Sequence, residues 1–190
     1  MHYIQEEIGI PKIRIEKIGP DHAVFTVSPL PPGYGMTVGN ALRRILLSSL
    51  PGACVTGIKM DGISHEYSTI KGVKDSILDI SLNMKLLKIR KTSKEPTMCT
   101  LSVNKEGVVH AKDIKCPSDV EILNKDQYIA SIVCQYSIRI ELKIEKGFGY
   151  CFKKFSKDFS NESNSGWISF NVKYSPIIEI FYKVENISLN

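Results

Sequence analysis

Tyr34-Gly35-Met36-Thr37-Val38-Gly39-Asn40-Ala41-Leu42-Arg43-Arg44-Ile45-Leu46-Leu47-Ser48-Ser49-Leu50-Pro51-Gly52 is a helix bracketed by glycine, with two adjacent arginines set among aliphatic residues. Pro51 and Gly52 end it sharply. Thr37 is the expected N-cap, with Asn40 three residues on to supply a further acceptor for the free N–H groups of the first turn. At about 100° per residue, Val38, Leu42, Ile45 and Ser49 share one face. Arg43, Leu47 and Leu50 lie on a second face, and Arg44 with Ser48 forms a polar stripe between them. A solvated helix would be less apolar, and a plain core helix would not carry cations at its centre. The pattern therefore predicts a helix packed on its own sheet and on another protein, with the arginines kept for that partner. The alternative is a helix enclosed in one domain whose arginines snorkel to the surface.

On either side the chain reads as strands. Residues 11–18 alternate apolar and polar, Gly19–Asp21 turns, and residues 22–29 alternate again, which predicts a hairpin. Pro29, Pro31, Pro32 and Gly33 form a rigid connection into the helix. A strand is expected over Ala53–Met60, turned by Asp61-Gly62. Residues 72–85 read as a second helix, with Val73, Ile77, Ile80 and Met84 on one face. Further strands are expected over 86–90, 97–103, 119–123, 137–145, 167–172 and 177–184, and a mobile loop over 150–166. Two helices among many strands, with no βαβ alternation, predict an α+β fold. Residues 1–51 and 175–190 together are expected to form one discontinuous domain, because neither end holds enough strand to close a sheet. Residues 52–174 are expected to form an inserted β-rich domain.

Composition narrows the function. The chain has 190 residues, 43% hydrophobic and 24% charged, as an ordinary globular protein has. No apolar run reaches the roughly 18 residues of a membrane span, and the N-terminus lacks a secretory pattern, so cytosol or an organellar interior is expected. The cysteines (Cys54, Cys99, Cys116, Cys134, Cys151) form no Cys-x-x-Cys pair, and the histidines (His2, His22, His65, His110) no His-x-x-x-His pair, so neither a zinc site nor Cys/His catalysis is expected. Gly35-x-x-x-Gly39 lacks the Gly-Lys-Ser/Thr of a phosphate loop. No residues combine nucleophile, base and oxyanion donor, which points to a binding or assembly role without catalysis. The net charge of +5 is mild, and the lysines of 85–94 and 146–157 are read as solvated faces, with nucleic-acid binding the alternative.

Thr37 to Ser49 resembles, almost letter for letter, the signature helix of the bacterial-type (or plastid) RNA polymerase α subunits. The blocks Asp61–Thr69, Gly72–Ile80 with Leu82–Lys85, Ala111–Ile114, Lys146–Tyr150 and Tyr174–Pro176 are similar to later blocks of that family, in the same order. The resemblance runs from about Pro11 to Glu185. It implies a dimerisation-type domain built from both chain ends, an inserted β-rich domain, and a non-catalytic role in which two α copies pair and assemble the large β and β′ subunits. It implies no cofactor in this chain, magnesium being held by a large subunit, and no membrane.

The resemblance also implies site residues. Arg43, Arg44, Leu47, Ser48, Asp79 and Lys85 form the set expected to meet the large subunits. Within it, Arg44 and Leu47 match helix positions that contact β, Lys85 matches a large-subunit contact at the end of the second helix, and Arg43 rather braces the first helix. Val38, Leu42, Ile45, Leu46 and Leu50 form the expected dimer and core face. Two departures bear on this: Met36 stands where the family commonly has histidine, and Val38 replaces a usual leucine. The sequence stops at Asn190, where family members continue into a second interface helix and a DNA-contacting domain. Direct promoter recognition is therefore not expected, and pairing is expected with an incomplete interface. The competing reading is a truncated α-like regulator that binds polymerase or another partner without being a core subunit.

Overall fold

The computed structural model describes residues 9–63, 66–134, 137–152 and 166–187. It is an α+β fold that separates into two compact units, one of residues 1–47 with 179–190 and one of residues 48–178. The expected loop over 150–166 and His65 fall largely or wholly outside the described residues.

The larger unit is built on one long antiparallel pair. β3 (Pro51–Met60) runs beside β10 (Ile138–Phe148), with a register shift between Lys143 and Ile144. In β10 the period-two pattern does what it predicts: Ile138, Ile140, Leu142 and Ile144 are buried and Arg139 is exposed. Between these two strands in sequence lie β4 (Ile89–Lys91), β5 (Thr97–Val103), β6 (Gly107–His110), β7 (Ile114–Lys115), β8 (Val120–Ile122) and β9 (Tyr128–Ile132). After them come β11 (Tyr150–Cys151), β12 (Trp167–Ser169) and β13 (Val172–Lys173). A seven-stranded sheet has the order β7-β5-β10-β3-β4-β8, with β12 also paired to β3. β6 pairs with β9, and β11 with β13. The strands at 107–110, 114–115, 128–132 and 150–151 were not legible in the sequence, being short and without strict alternation.

The second helix corrects the reading of 72–85. It spans Ile77–Lys85 only. Gly72 has a φ of +84°, Val73 forms a β-bridge with Ile132, and the Asp75 carboxylate accepts the Ser131 N–H at 2.7 Å and the Tyr128 hydroxyl at 2.8 Å. These tertiary contacts take residues 72–75 out of the helix. Ser76 then starts it with a capping box, its Oγ accepting from the Asp79 N–H while the Asp79 carboxylate accepts from the Ser76 N–H. Ile77, Ile80, Ser81 and Met84 form the buried stripe.

In the smaller unit β1 (Lys12–Lys17) and β2 (Ala23–Ser28) form the expected hairpin, Lys12 opposite Ser28 and Lys17 opposite Ala23. The strand expected over 177–184 is absent. That segment has no ladder partner among the described residues, and Ile178 and Phe181 are each 82% exposed. β-Branched and aromatic residues supply a strand-like composition, but a strand also needs a neighbouring backbone.

Gly52 and Gly147 stand directly opposite each other on β3 and β10. A Cβ on Gly52 would lie 1.7 Å from the Tyr174 carbonyl oxygen, and one on Gly147 would lie 2.6 Å from Cε2 of the Tyr174 ring. The facing glycines form a notch that seats Tyr174, whose N–H donates to the Gly149 carbonyl at 2.8 Å. Gly52→Ala is therefore expected to lower unfolding stability by about 1–3 kcal/mol or more, since the obstructing atom is backbone. Gly19→Ala, where no atom lies within 4 Å, should stay within about 0.5 kcal/mol of the parent. Urea midpoints of the two variants check this, and equal midpoints would remove the notch as a constraint.

Candidate assembly interface

The first helix, α1, spans Tyr34–Ser49. Gly33, with a φ of +84°, and the Tyr34 N–H donating to the Pro31 carbonyl at 3.1 Å start it a turn earlier than Thr37, which is not the N-cap but an interior residue. The proline-glycine connection sets the entry and overrides the threonine signal. Pro51 opens β3, so the helix stops where the sequence places its end.

No residue of α1 is buried. Val38, Leu46, Leu47 and Leu50 are half-buried, and Arg43, Arg44 and Ser48 are exposed. Leu42 and Ile45 are 44% and 56% exposed, and Met36 60%. Of the expected apolar face, Val38 is therefore partly covered while Leu42 and Ile45 are not core of this chain. The glycines mark one packed side of the helix. A Cβ on Gly35 would stand 2.8 Å from Val184, and one on Gly39 2.5 Å from the Tyr182 ring. Gly35-x-x-x-Gly39 is a seat for the C-terminal segment and turns that side of the helix inward. It sits inside the helix, not in a loop before it. Leu46, seven residues after Gly39, lies on the same side as this seat, and Ile45 is turned away from it.

In the larger unit, Asp79 and Lys85 lie on the second helix, α2 (Ile77–Lys85), and both are exposed. The Asp79 carboxylate is committed to the helix cap: it also accepts the Ser76 hydroxyl at 2.6 Å, and these bonds hold its pKa below the usual carboxylate range. The Lys85 ammonium lies 5.4 Å from the centroid of the Phe170 ring, a cation–π contact that fixes where the charge stands.

The lysine runs are not uniform solvated faces. Lys91 is buried, and its ammonium donates to Ser93 Oγ, Thr97 Oγ1 and Asp119 Oδ2, which satisfies its three protons. The Asp119 oxygen also accepts the Ser93 hydroxyl at 2.6 Å and the Thr97 hydroxyl at 2.7 Å. Lys146 donates to the Thr92 carbonyl at 3.0 Å. A closed network of this kind ties β4, β5 and the turn before β8 together. Lys91 has no proton left for a phosphate. Among the described residues no three His, Cys, Asp or Glu side chains come together as a metal site.

Residues 58–175 match the family profile of the RNA polymerase Rpb3/RpoA insert domain. The chain belongs to this family. It is 43% identical over 180 residues to the DNA-directed RNA polymerase subunit alpha of Moorella thermoacetica, covering 95% of this chain and 57% of that relative. It is 40% identical over 182 residues to the subunit of the same name from Roseiflexus castenholzii, covering 95% and 55%. For the Alkaliphilus oremlandii subunit the figures are 41% over 185 residues, covering 96% and 58%. The chain spans little more than half the length of these relatives. The capped α2 and the Lys91 network both lie within the matched region.

The Ser93 and Thr97 hydroxyls and the Lys91 ammonium hold the Asp119 carboxyl well below the usual carboxylate range. The stability this supplies is complete above the ordinary carboxylate value of about 4 and is lost as pH falls through the lowered folded value. Asp119→Asn should thus lower the urea midpoint at neutral pH, leaving the buried Lys91 charge without its counter-ion. The gap between variant and parent should narrow as pH drops below about 4. A gap that stays constant across that range would contradict the assignment.

Proposed function

We propose that this chain is the non-catalytic assembly (α) subunit of a DNA-directed RNA polymerase. In this reading two copies pair and the pair is the platform on which the large β and β′ subunits assemble. The observation that carries the reading is α1: a helix with the family's signature residues that buries none of them in its own chain. Exposed Leu42 and Ile45, and exposed Ile13, Ile15 and Phe25 on the hairpin, supply apolar surface of the kind a second copy covers. Arg44 and Leu47 provide the contact with β, the guanidinium offering a planar fork to a carboxylate or to backbone carbonyls. Arg43 and Ser48 flank them. Lys85, set in place over Phe170, supplies a second large-subunit contact on α2, beside Asp79.

Nucleotidyl transfer, with the magnesium it requires, belongs in this reading to the large subunits. In this reading the chain works in a bacterial cytosol or a plastid stroma. No helix of the described residues is long and apolar enough to cross a membrane.

Arg44→Ala should weaken capture of the β subunit by about 2–5 kcal/mol, much of it from partner groups left unpaired. Arg44→Lys, which keeps the charge and loses the fork, should recover only part of that. Titration of purified β against each variant, with circular dichroism and thermal midpoint as folding controls, gives the answer. A folded Arg44→Ala chain that binds β as tightly as the parent would overturn the role given to Arg44.

A further inference from the structure

Cys99 and Cys116 lie far apart in sequence, and the fold brings them together. On the β5–β7 ladder Leu101 stands opposite Ile114 and Thr100 opposite Lys115. The next position along the same register sets Cys99 opposite Cys116. Cys99 and Leu101 are buried on one face of β5, and Ile114 is buried on β7, so the register directs Cys99 and Cys116 to that same face. The two thiols are near enough that each shifts the other's pKa. Residues directly opposite on antiparallel strands have Cα atoms about 4.5–5.5 Å apart, inside the span a disulfide accepts.

The two sulfurs differ in environment. Cys99 is buried and Cys116 is half-buried. The interaction between the two thiols raises the Cys99 pKa, with burial adding to the effect, and draws the Cys116 pKa down. Cys116 is thus the more accessible sulfur and the one with more thiolate character, the combination that favours attack on an oxidant. Cys54 offers a contrast: burial, with Glu145 adding, pushes its thiol up to about 12, which makes it inert.

We propose that Cys99 and Cys116 form an oxidisable dithiol that a peroxide closes into a cross-strand disulfide. The Cys116 thiolate attacks one peroxide oxygen. The S–O bond forms, the O–O bond breaks, and the leaving hydroxide is protonated to water. The Cys99 sulfur then attacks the Cys116 sulfur of the sulfenic acid. The S–S bond forms, the S–O bond breaks, and the departing hydroxide takes the Cys99 proton as a second water. Two thiols are oxidised to one disulfide and one peroxide is reduced to two waters. The bond staples β7, an end strand of the seven-stranded sheet, to β5, and fixes the chain three residues before Asp119.

The test treats the folded chain with hydrogen peroxide, alkylates the remaining thiols after denaturation, and maps peptides by mass spectrometry. The expected product is a Cys99–Cys116 linked peptide, lighter by two hydrogens and restored by dithiothreitol. Cys99→Ser should leave a Cys116 sulfenic acid that dimedone traps, and Cys116→Ser should leave Cys99 unoxidised at the same peroxide dose. Recovery of both thiols fully alkylated, after a dose that oxidises exposed Cys134, would overturn the proposal. So would a disulfide joining either residue to Cys54, Cys134 or Cys151.

Discussion

The antiparallel pairing of Pro51–Met60 with Ile138–Phe148 is the constraint from which the larger unit follows. These strands lie nearly eighty residues apart in sequence, so their pairing closes a long loop whose entropy must be met by burial. The burial is there: Val55, Ile58, Leu142 and Ile144 are fully enclosed. Of the strands between them, β4, β5, β7 and β8 are then held to a common sheet, while β6 and β9 pair with each other. β5 adds to one side through β10, while β4 and β12 add to the other through β3. The same pairing sets Gly52 against Gly147 and so creates the notch for Tyr174. Glycine is needed at both places because backbone and ring approach too closely for any Cβ, not because either position has an unusual φ.

Close approach at glycine recurs in the smaller unit with a different result. Gly35 and Gly39 seat Val184 and Tyr182 on α1 and thereby decide which side of that helix is used internally. Leu42 and Ile45 stay largely exposed, while Val38 and Leu47 are half-buried. The proposed assembly role fits this arrangement, in which the helix folds with part of its surface and keeps Leu42 and Ile45 largely exposed. The capped second helix and the Lys91–Asp119 network are of the opposite kind, closed and internally satisfied.

Much of the fold was legible in the chain because period-two and helical apolar spacing report which face of an element is buried. The hairpin, β3, β5 and β10 were read within a few residues for that reason. The start of α2 was not, because Asp75 bonds to Ser131 and Tyr128, more than fifty residues away, and no local pattern shows such a partner. The segment 177–184 was misread for the converse reason: it is rich in β-branched and aromatic residues but has no ladder partner among the described residues. On α1, a wheel drawn on aliphatic residues gave weight to Leu42 and Ile45 and none to the glycines, although the glycines make the packed face. Lys91 looked like one more surface lysine until the fold brought Asp119 to it.

The sequence by itself determined the α+β class, the position of the arginine-bearing helix and the likeness to the polymerase α family, since these rest on local periodicity and on colinear blocks of residues. Tertiary structure alone decided which side of that helix stays uncovered, which lysine is buried with its counter-ion, and which two cysteines meet. Each of those outcomes depends on residues distant in the chain, and distance in space is not written in local spacing.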